Sequence, residues 1–303
     1  MNDKICLVII YNHRFEKNIQ KLNTYYANKF SHIFHVIPFY TSDNPQVITV
    51  YENSHQFSGY IAQAYKTFYN TNFSHYVFVG DDLLLNPNIT ADTILNQLNL
   101  SVDSGYIKNI YNFHTLKQLW HVPDTLYKFT SAKGVNYTAE IPTYTEALAK
   151  AAKHQIQIAP LNSNYLFGLF KASGKTFFKN WVYTLGYVLY KRFKKINILP
   201  YPLVGAYSDF VVVPKCSIEK FSKYCGVFAA MNIFAEVAIP TALMLSCDKI
   251  EMEKEEFKGK EVWTQMELEK YSKACNNSVR QLFIKYPQYI YFHPAKLSVW
   301  SID

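Results

Sequence analysis

The first hundred residues alternate between short apolar runs and segments with helical periodicity. The apolar runs, which have the length of buried β-strands, are residues 5–11, 33–40, 47–51 and 75–80. The amphipathic segments, which carry apolar residues at steps of three and four, are residues 15–30, 57–69 and 90–98. Strands that alternate with helices in this way pair into a mainly parallel sheet covered on both faces. We therefore predict an α/β, Rossmann-like fold.

Two adjacent carboxylates follow the fourth predicted strand. Gly80 ends the apolar run, and Asp81 and Asp82 come next. Aspartate is depleted within strands, so the pair should lie just beyond the carboxyl end of the strand, where open α/β sheets bind ligands. Paired carboxylates there suit a hard divalent cation that shares its oxygen ligands with a substrate phosphate. Gly-Asp-Asp is also ordinary turn chemistry, and this interpretation stays open.

The pattern is weaker beyond residue 105. Helices are predicted at residues 145–153 and 175–193, and a strand at residues 210–213. Ser217 is predicted to open a short helix. The apolar stretch 226–247 should contain a buried helix whose first turn holds Glu236 and Pro240, a position that tolerates proline. A strand at residues 289–292 leads into a His-Pro-x-Lys turn.

Charge is distributed unevenly along the chain. The formal net charge is +8, and residues 147–208 contain lysine and arginine but no aspartate or glutamate. Such a region attracts anions, which include nucleic acid, a phosphorylated substrate and an anionic membrane surface. The predicted helix at 175–193 fits a core helix with solvated lysines, or an interfacial helix that meets a lipid-carried acceptor.

The cysteines and the apolar stretches indicate the cellular compartment in which we expect the protein. The five cysteines are scattered and lack Cys-x-x-Cys spacing, which favours reduced thiols over disulfides or structural zinc. The first apolar run is too short to span a bilayer and has no signal-sequence pattern. Asn232, Glu236 and Pro240 argue against a membrane helix in residues 226–247. We expect a cytoplasmic protein.

Five stretches together resemble the GT-A class of nucleotide-sugar glycosyltransferases. The resemblance covers about the first hundred residues in order and then scattered blocks. Residues 5–12 resemble the first strand and donor-contacting loop of that class, and the helix start Ser58-Gly59, followed by Ala62 and Ala64, resembles the helix before the metal-binding strand. Residues 77–85 resemble the Asp-x-Asp strand, although Gly80-Asp81-Asp82-Leu83 departs from that motif. The other blocks are residues 209–214 with 234–243, and residues 293–296.

The resemblance implies roles for ten residues. Asp81, Asp82 and His293 would hold Mn²⁺ or Mg²⁺, with Asp82 the first choice as direct ligand. Glu236 and Asp209 would be catalytic, and Glu236 would serve as general base toward the acceptor hydroxyl. The donor would contact the residues Tyr11, Asn12, Ser58, Gly59, Asp81 and Lys296. A purely structural role, in a loop, a cap or a turn, is the alternative interpretation of these residues.

The resemblance also implies an organisation and a substrate class. Residues 1–105 would form a nucleotide-sugar-binding half, residues 106–202 a basic, aromatic-rich helical insertion, and residues 203–303 the acceptor-side half, all in one GT-A-like catalytic domain. The enzyme would move a sugar from a nucleotide-diphosphate sugar, UDP-sugar first, to a saccharide or lipid-linked acceptor in surface polysaccharide synthesis. It would work at the inner face of the membrane, with peripheral contact through residues 147–208.

Three other functions compete with this prediction. Hydrophobic-Gly-Asp-Asp-hydrophobic also resembles a polymerase metal hairpin, but no second Asp motif lies upstream, and we expect no nucleic-acid partner. A nucleotidyltransferase would want a glycine-rich loop after the first strand to cradle a triphosphate, and Tyr11-Asn12-His13-Arg14 has no glycine. A non-catalytic glycan-binding or membrane-surface protein would bind its ligand independently of Asp81 and Asp82.

Overall fold

The computed structural model describes residues 4–111, 135–158 and 201–302, together with Leu189. The prediction of a helix at residues 175–193 therefore lies outside the described residues, apart from helical Leu189. Most of the acid-free stretch at 147–208 lies outside them as well. Lys150 and Lys153, at its start, both form ion pairs with Asp248, so these two charges are partly neutralised within the fold.

A seven-stranded sheet forms the centre of the fold. Its strands are β1 (Ile5–Ile10), β2 (His32–Pro38), β3 (Val47–Val50), β4 (His75–Gly80), β6 (Ser104–Ile107), β7 (Phe210–Pro214) and β8 (Lys249–Met252). Their order in the sheet is β3-β2-β1-β4-β7-β6-β8. Strands β3, β2, β1 and β4 are parallel, and β8 is parallel to β6. Only β7 runs antiparallel to its neighbours in this sheet. The predicted mainly parallel sheet is confirmed.

Helices cover both faces of the sheet. They are α1 (Asn18–Tyr26), α2 (Ser58–Phe68), α3 (Ile94–Gln97), α4 (Tyr144–Lys153), α5 (Lys215–Ala230), α6 (Ala235–Ser246), α7 (Gln265–Ala274) and α8 (Val279–Lys285). Buried residues form two clusters, and alternate residues of β1 contribute to each, so β1 is buried on both faces. The strand is apolar throughout for this reason.

Three details of the helices differ from the sequence prediction. The helix expected at 90–98 has only four residues. The helix around Ser217 is long rather than short, because the run to Ala230 packs against α2 and α6. Pro240 lies in the interior of α6 rather than in its first turn, which does hold Glu236.

A small second sheet was missed by the sequence analysis. It contains β5 (Leu84–Leu85), β10 (Tyr289–His293) and β9 (Lys258–Glu261), in that order. Strand β5 follows the Asp pair directly, and its antiparallel pairing joins Leu85 to Tyr291. This pairing brings the end of β10 to the end of β4, although the two are about 200 residues apart in sequence.

No helix in the described parts of the chain is both long and apolar enough to cross a membrane. Helix α6 is the most apolar of them, with eleven of its side chains buried within the protein. Its Thr241 hydroxyl accepts a hydrogen bond from the Val204 N–H (3.0 Å). The helix is therefore a core element of the sheet-and-helix layers.

Candidate active site

Three chain segments meet at the carboxyl end of β4 and are held together by backbone hydrogen bonds. The Asp81 N–H donates to the carbonyl oxygen of Ile10 at the end of β1 (2.9 Å). The Gly80 N–H donates to the Asp209 carbonyl, just before β7 (3.0 Å), and the Ala295 N–H donates to the Asp82 carbonyl (2.7 Å). The Asp pair is therefore fixed by β1, by β7 and by the turn after β10.

Gly80 makes the approach of two carboxylates possible. A Cβ atom built on Gly80 would lie 3.4 Å from Asp82 Oδ1 and 3.6 Å from the Asp209 Cβ atom. The glycine is the last residue of β4 and the first of the predicted turn, which the Leu83 N–H closes by donating to the Gly80 carbonyl (3.1 Å). A larger residue would fill the space between Asp82 and Asp209.

Two of the predicted metal ligands, Asp82 and His293, lie beside Asp209, which was predicted to be catalytic. His293 Nε2 lies 3.2 Å from Asp82 Oδ1 and 3.7 Å from Asp209 Oδ2. Burial lowers the pKa of His293, but attraction to Asp82 and Asp209 outweighs it, so the pKa rises above its usual value. Burial raises the pKa of Asp209, and the imidazole offsets this only in part. The two acids therefore favour the charged form of His293, which lies between them.

Asp81 lies deeper than Asp82 and is almost fully buried. The amide of Asn18, the first residue of α1, donates to its carboxylate (3.0 Å). Burial and the neighbouring Asp82 raise the pKa of Asp81 to about 7, although hydrogen bonds from Asn18 and the Asn12 backbone oppose the shift. Asp81 therefore joins the end of β4 to the start of α1, and Asp82 faces outward.

Glu236 is a further acidic residue near Asp209. Its Oε2 atom is buried and has no hydrogen-bond partner among the described residues. Burial, followed by the charge of Asp209, raises the pKa of Glu236 to about 9. The position in the first turn of α6 favours the charged form, so burial outweighs the helix dipole here.

A crevice of about 820 Å³ opens beside the Asp pair. Its lining combines Asp81 and Asp82 with basic side chains from the β1–α1 segment and the C-terminal turn: His13, Arg14, Lys17, Lys21 and Lys296. The sequence analysis named Asn12 and Lys296, both of which line this crevice, but missed Lys17 and Lys21. Their spacing of four residues within the helix predicted at residues 15–30 was the available signal, and in the structure Lys17 is the residue just before α1.

Three of the predicted donor contacts lie away from the crevice. Tyr11 is fully buried, and its hydroxyl lies 2.8 Å from His35 Nδ1 in the core. Ser58 and Gly59 are buried at the start of α2. A Cβ atom on Gly59 would lie 3.0 Å from the Ala229 Cβ atom, so this glycine serves close packing of α2 on α5.

No group of three or more His, Cys, Asp or Glu side chains among residues 4–111, 135–158 and 201–302 has the arrangement of a metal centre. The trio Asp82, Asp209 and His293 is an ion-pair cluster as it stands. Asp82 Oδ1 and His293 Nδ1 are nevertheless buried without a hydrogen-bond partner in this part of the chain. Two oxygen or nitrogen ligands on one Mg²⁺ at about 2.1 Å are about 3 Å apart in octahedral geometry, close to the spacing of Asp82 and His293.

Neither the models of known protein families nor the curated proteins match this chain. The site geometry therefore carries the functional argument.

Proposed function

We propose that the protein is a metal-dependent glycosyltransferase that uses a nucleotide-diphosphate sugar, with UDP-sugar the first candidate, and transfers the sugar to a saccharide or lipid-linked acceptor. One observation carries the proposal. Asp82 lines a crevice that also carries Arg14, Lys17, Lys21 and Lys296, together with one further acid, Glu16. His293 lies beside Asp82, and Asp209 lies beside His293, next to this lining, and these three residues form the acidic cluster. A pyrophosphate needs both parts, because cations bind its oxygens directly and carboxylates hold the bridging metal.

The sheet topology supports the same function. The parallel order β3-β2-β1-β4 places the ends of β1 and β4 side by side, where doubly wound folds bind nucleotides. Asp209, just before the antiparallel β7, lines a small neighbouring cavity that shares Asn12 with this crevice. This arrangement is compatible with the GT-A class, and we propose that class as the finer description of the fold.

The donor set suits Mn²⁺ or Mg²⁺. Asp82, Asp209 and His293 would hold the ion, and Asp81 would keep Asp82 in place through its bond to α1. Two carboxylates and one imidazole fit Mn²⁺ in particular. When bound, the ion would act as a Lewis acid on the leaving diphosphate.

The rest of the reaction falls to the side chains of the protein. In the transfer, the bond between the anomeric carbon and the phosphate oxygen breaks, and its electron pair leaves with the nucleoside diphosphate. The acceptor oxygen bonds to the anomeric carbon and loses its proton to a carboxylate. Glu236, with Asp209 beside it, is the proposed proton acceptor, because its Oε2 atom has no hydrogen bond of its own in the described structure. Only its charged form can accept a proton, so turnover should rise with pH toward its pKa of about 9. Lys296 and Arg14 would bind the leaving phosphates.

The proposal is tested by turnover of UDP-, GDP- and dTDP-hexoses by the purified protein with Mn²⁺ and a panel of methyl hexopyranosides. We expect release of nucleoside diphosphate that is abolished by EDTA and lowered at least about a thousandfold in Asp82→Asn, since removal of one preorganised charge commonly costs that much. Asp43→Asn is the matched control, because Asp43 is exposed in the β2–β3 loop.

Three outcomes would contradict the proposal. Turnover that is unaffected by EDTA would remove the role of the metal. Activity of Asp82→Asn within a factor of ten of Asp43→Asn would remove the role of the acidic cluster. Release of pyrophosphate from a nucleoside triphosphate would identify a nucleotidyltransferase instead.

A further inference from the structure

Trp263 is a large aromatic side chain that is 63% exposed and is separated from His293 by one buried ring, that of Tyr207. It follows β9, whose pairing with β10 continues beyond the strand, because the Val262 N–H donates to the His293 carbonyl (2.8 Å). Trp263 is therefore tied through the backbone to the residue that pairs with Asp82. Its neighbour Val262 is buried on the other side of the chain.

A series of aromatic rings connects Trp263 to the catalytic groups. The Trp263 ring meets the buried Tyr207 edge to face, with centroids 6.1 Å apart. Tyr207 in turn lies 5.7 Å from the His293 ring and stacks on Tyr291 at 5.9 Å. Tyr207 is also two residues before Asp209. The indole thus packs on Tyr207, whose ring contacts His293 of the acidic cluster.

We propose that Trp263 is the platform on which a pyranose ring of the acceptor saccharide stacks. The inference deepens the proposed function and rests on it for the identity of the acceptor. It assigns one further binding residue, on the β9 side of the acidic cluster.

The chemistry of a pyranose matches this location. One face of the ring carries C–H groups that pack on an indole, and its hydroxyls project sideways to polar partners. An indole offers a large flat apolar face for this packing and an N–H group at its edge for a hydroxyl. Because the Trp263 ring is rigid and held by Tyr207, stacking loses little conformational entropy. An acceptor so placed would present a hydroxyl toward Asp209 and Glu236.

The test compares Trp263→Leu, which keeps apolar area but loses the ring, with Trp263→Phe, which keeps a ring. Ile284→Ala is the matched surface control, since Ile284 is 62% exposed on α8. We expect Trp263→Leu to raise the acceptor KM about tenfold, and Trp263→Phe to stay within about threefold of the wild type. The thermal shift produced by UDP with Mn²⁺ should be the same in all four proteins.

Failure of this inference is distinguishable from failure of the proposed function. An unchanged acceptor KM in Trp263→Leu, with normal transfer, would overturn the platform and leave the glycosyltransferase. If the wild type transfers no sugar, saturation-transfer NMR with the same methyl hexopyranosides replaces the kinetic readout. Binding that is lost in Trp263→Leu but kept in Ile284→Ala supports the platform without the enzyme, and an absence of wild-type saccharide binding overturns it.

Discussion

Two groups of buried charges lie close together in this protein, and they are satisfied to different degrees. The first is the acidic cluster, in which His293 is the counter-ion of Asp82 and Asp209. The second lies behind it between the two sheets, where the Lys108 ammonium forms an ion pair with Glu261 and lies 3.7 Å from Glu253. The Tyr291 hydroxyl donates to Glu261, and the Gly259 N–H donates to Glu253 (2.6 Å).

This difference indicates that the Lys108 group stabilises the fold, whereas the acidic cluster is available for catalysis. In the Lys108 group, each of the two glutamates has a donor of its own in addition to the shared lysine. In the acidic cluster, Asp82 and Asp209 share the single imidazole of His293, and the nearby Glu236 Oε2 is buried without a hydrogen-bond partner in the described residues. Unsatisfied buried carboxylates cost stability, and a bound cation would remove that cost.

The largest expected effect is on the satisfied group. Lys108→Met leaves Glu253 and Glu261 buried without their cation, so the free energy of unfolding should fall by about 3 kcal/mol. Lys150→Met is the control, because its partner Asp248 is exposed and keeps Lys153, and it should cost less than about 1 kcal/mol. Urea denaturation measures both. Equal losses in the two variants would show that the Lys108 group is not a structural unit.

His35 is a buried histidine outside both groups, and both of its ring nitrogens have polar partners. It tests how much stability such a histidine loses when the pH is lowered. His35 has Tyr11 Oη 2.8 Å from one ring nitrogen and Asn23 Oδ1 2.9 Å from the other. Burial lowers its pKa from 6.5 to about 4. The unfolded chain therefore binds more protons between these values, and the stability from His35 is complete above pH 6.5 and lost toward pH 4. The loss should be on the order of 3 kcal/mol.

Urea midpoints at pH 4 and pH 7 in wild type and His35→Gln measure this loss. The variant lacks the titrating group and should lose less stability on acidification. An equal loss in both proteins would place the acid sensitivity elsewhere.

A divalent cation should stabilise only the unsatisfied group. In metal-free protein, Mn²⁺ at a hundred times its Kd should raise the free energy of unfolding by about 2.7 kcal/mol. The gain should vanish in Asp82→Asn and persist in Asp43→Asn and Lys150→Met. Calorimetric melting with and without Mn²⁺ measures it. A gain that survives in Asp82→Asn would locate the ion away from the acidic cluster.

Glu236→Gln is expected to raise stability rather than lower it. Because the pKa of Glu236 is raised from 4.5 to about 9, the wild type loses stability as pH rises through that range, when the unfolded chain has already released the proton. The variant lacks this loss and should exceed the wild type by on the order of 3 kcal/mol at pH 7 in EDTA, with the difference growing from pH 5 to pH 8. Turnover should fall at least about a hundredfold. A variant less stable than wild type at pH 8 would mean that Glu236 is charged in the fold.

The parts of the fold that were predictable are those whose local sequence agrees with their environment. β4 was predicted with its observed bounds, because residues 75–80 are buried on both faces and end at a glycine. β9 has the sequence Lys-Gly-Lys-Glu, which has poor strand propensity, and it forms because β10 offers it a partner. β5 has only two residues, and its partner is distant in sequence. Such strands are set by tertiary pairing alone.

The site residues that could be predicted are those whose side-chain chemistry and position at the end of a predicted strand both indicate a site. Asp81, Asp82, Asp209 and His293 were named from the sequence, and the structure brings them together. The direction of Tyr11 was not predictable, because residues 5–11 are apolar on both faces and alternation cannot assign a side. Trp263 had no signal in the sequence, since its position depends on β9, which was itself missed.

Because β5 pairs with β10, the candidate site cannot form during synthesis until β10 has been made. Asp82 leaves the ribosome early, but its imidazole partner follows only after about 200 further residues. A partly synthesised chain thus has the Asp pair without the strand that closes the site around it. Loading of the site must therefore wait until the second sheet has assembled on the first.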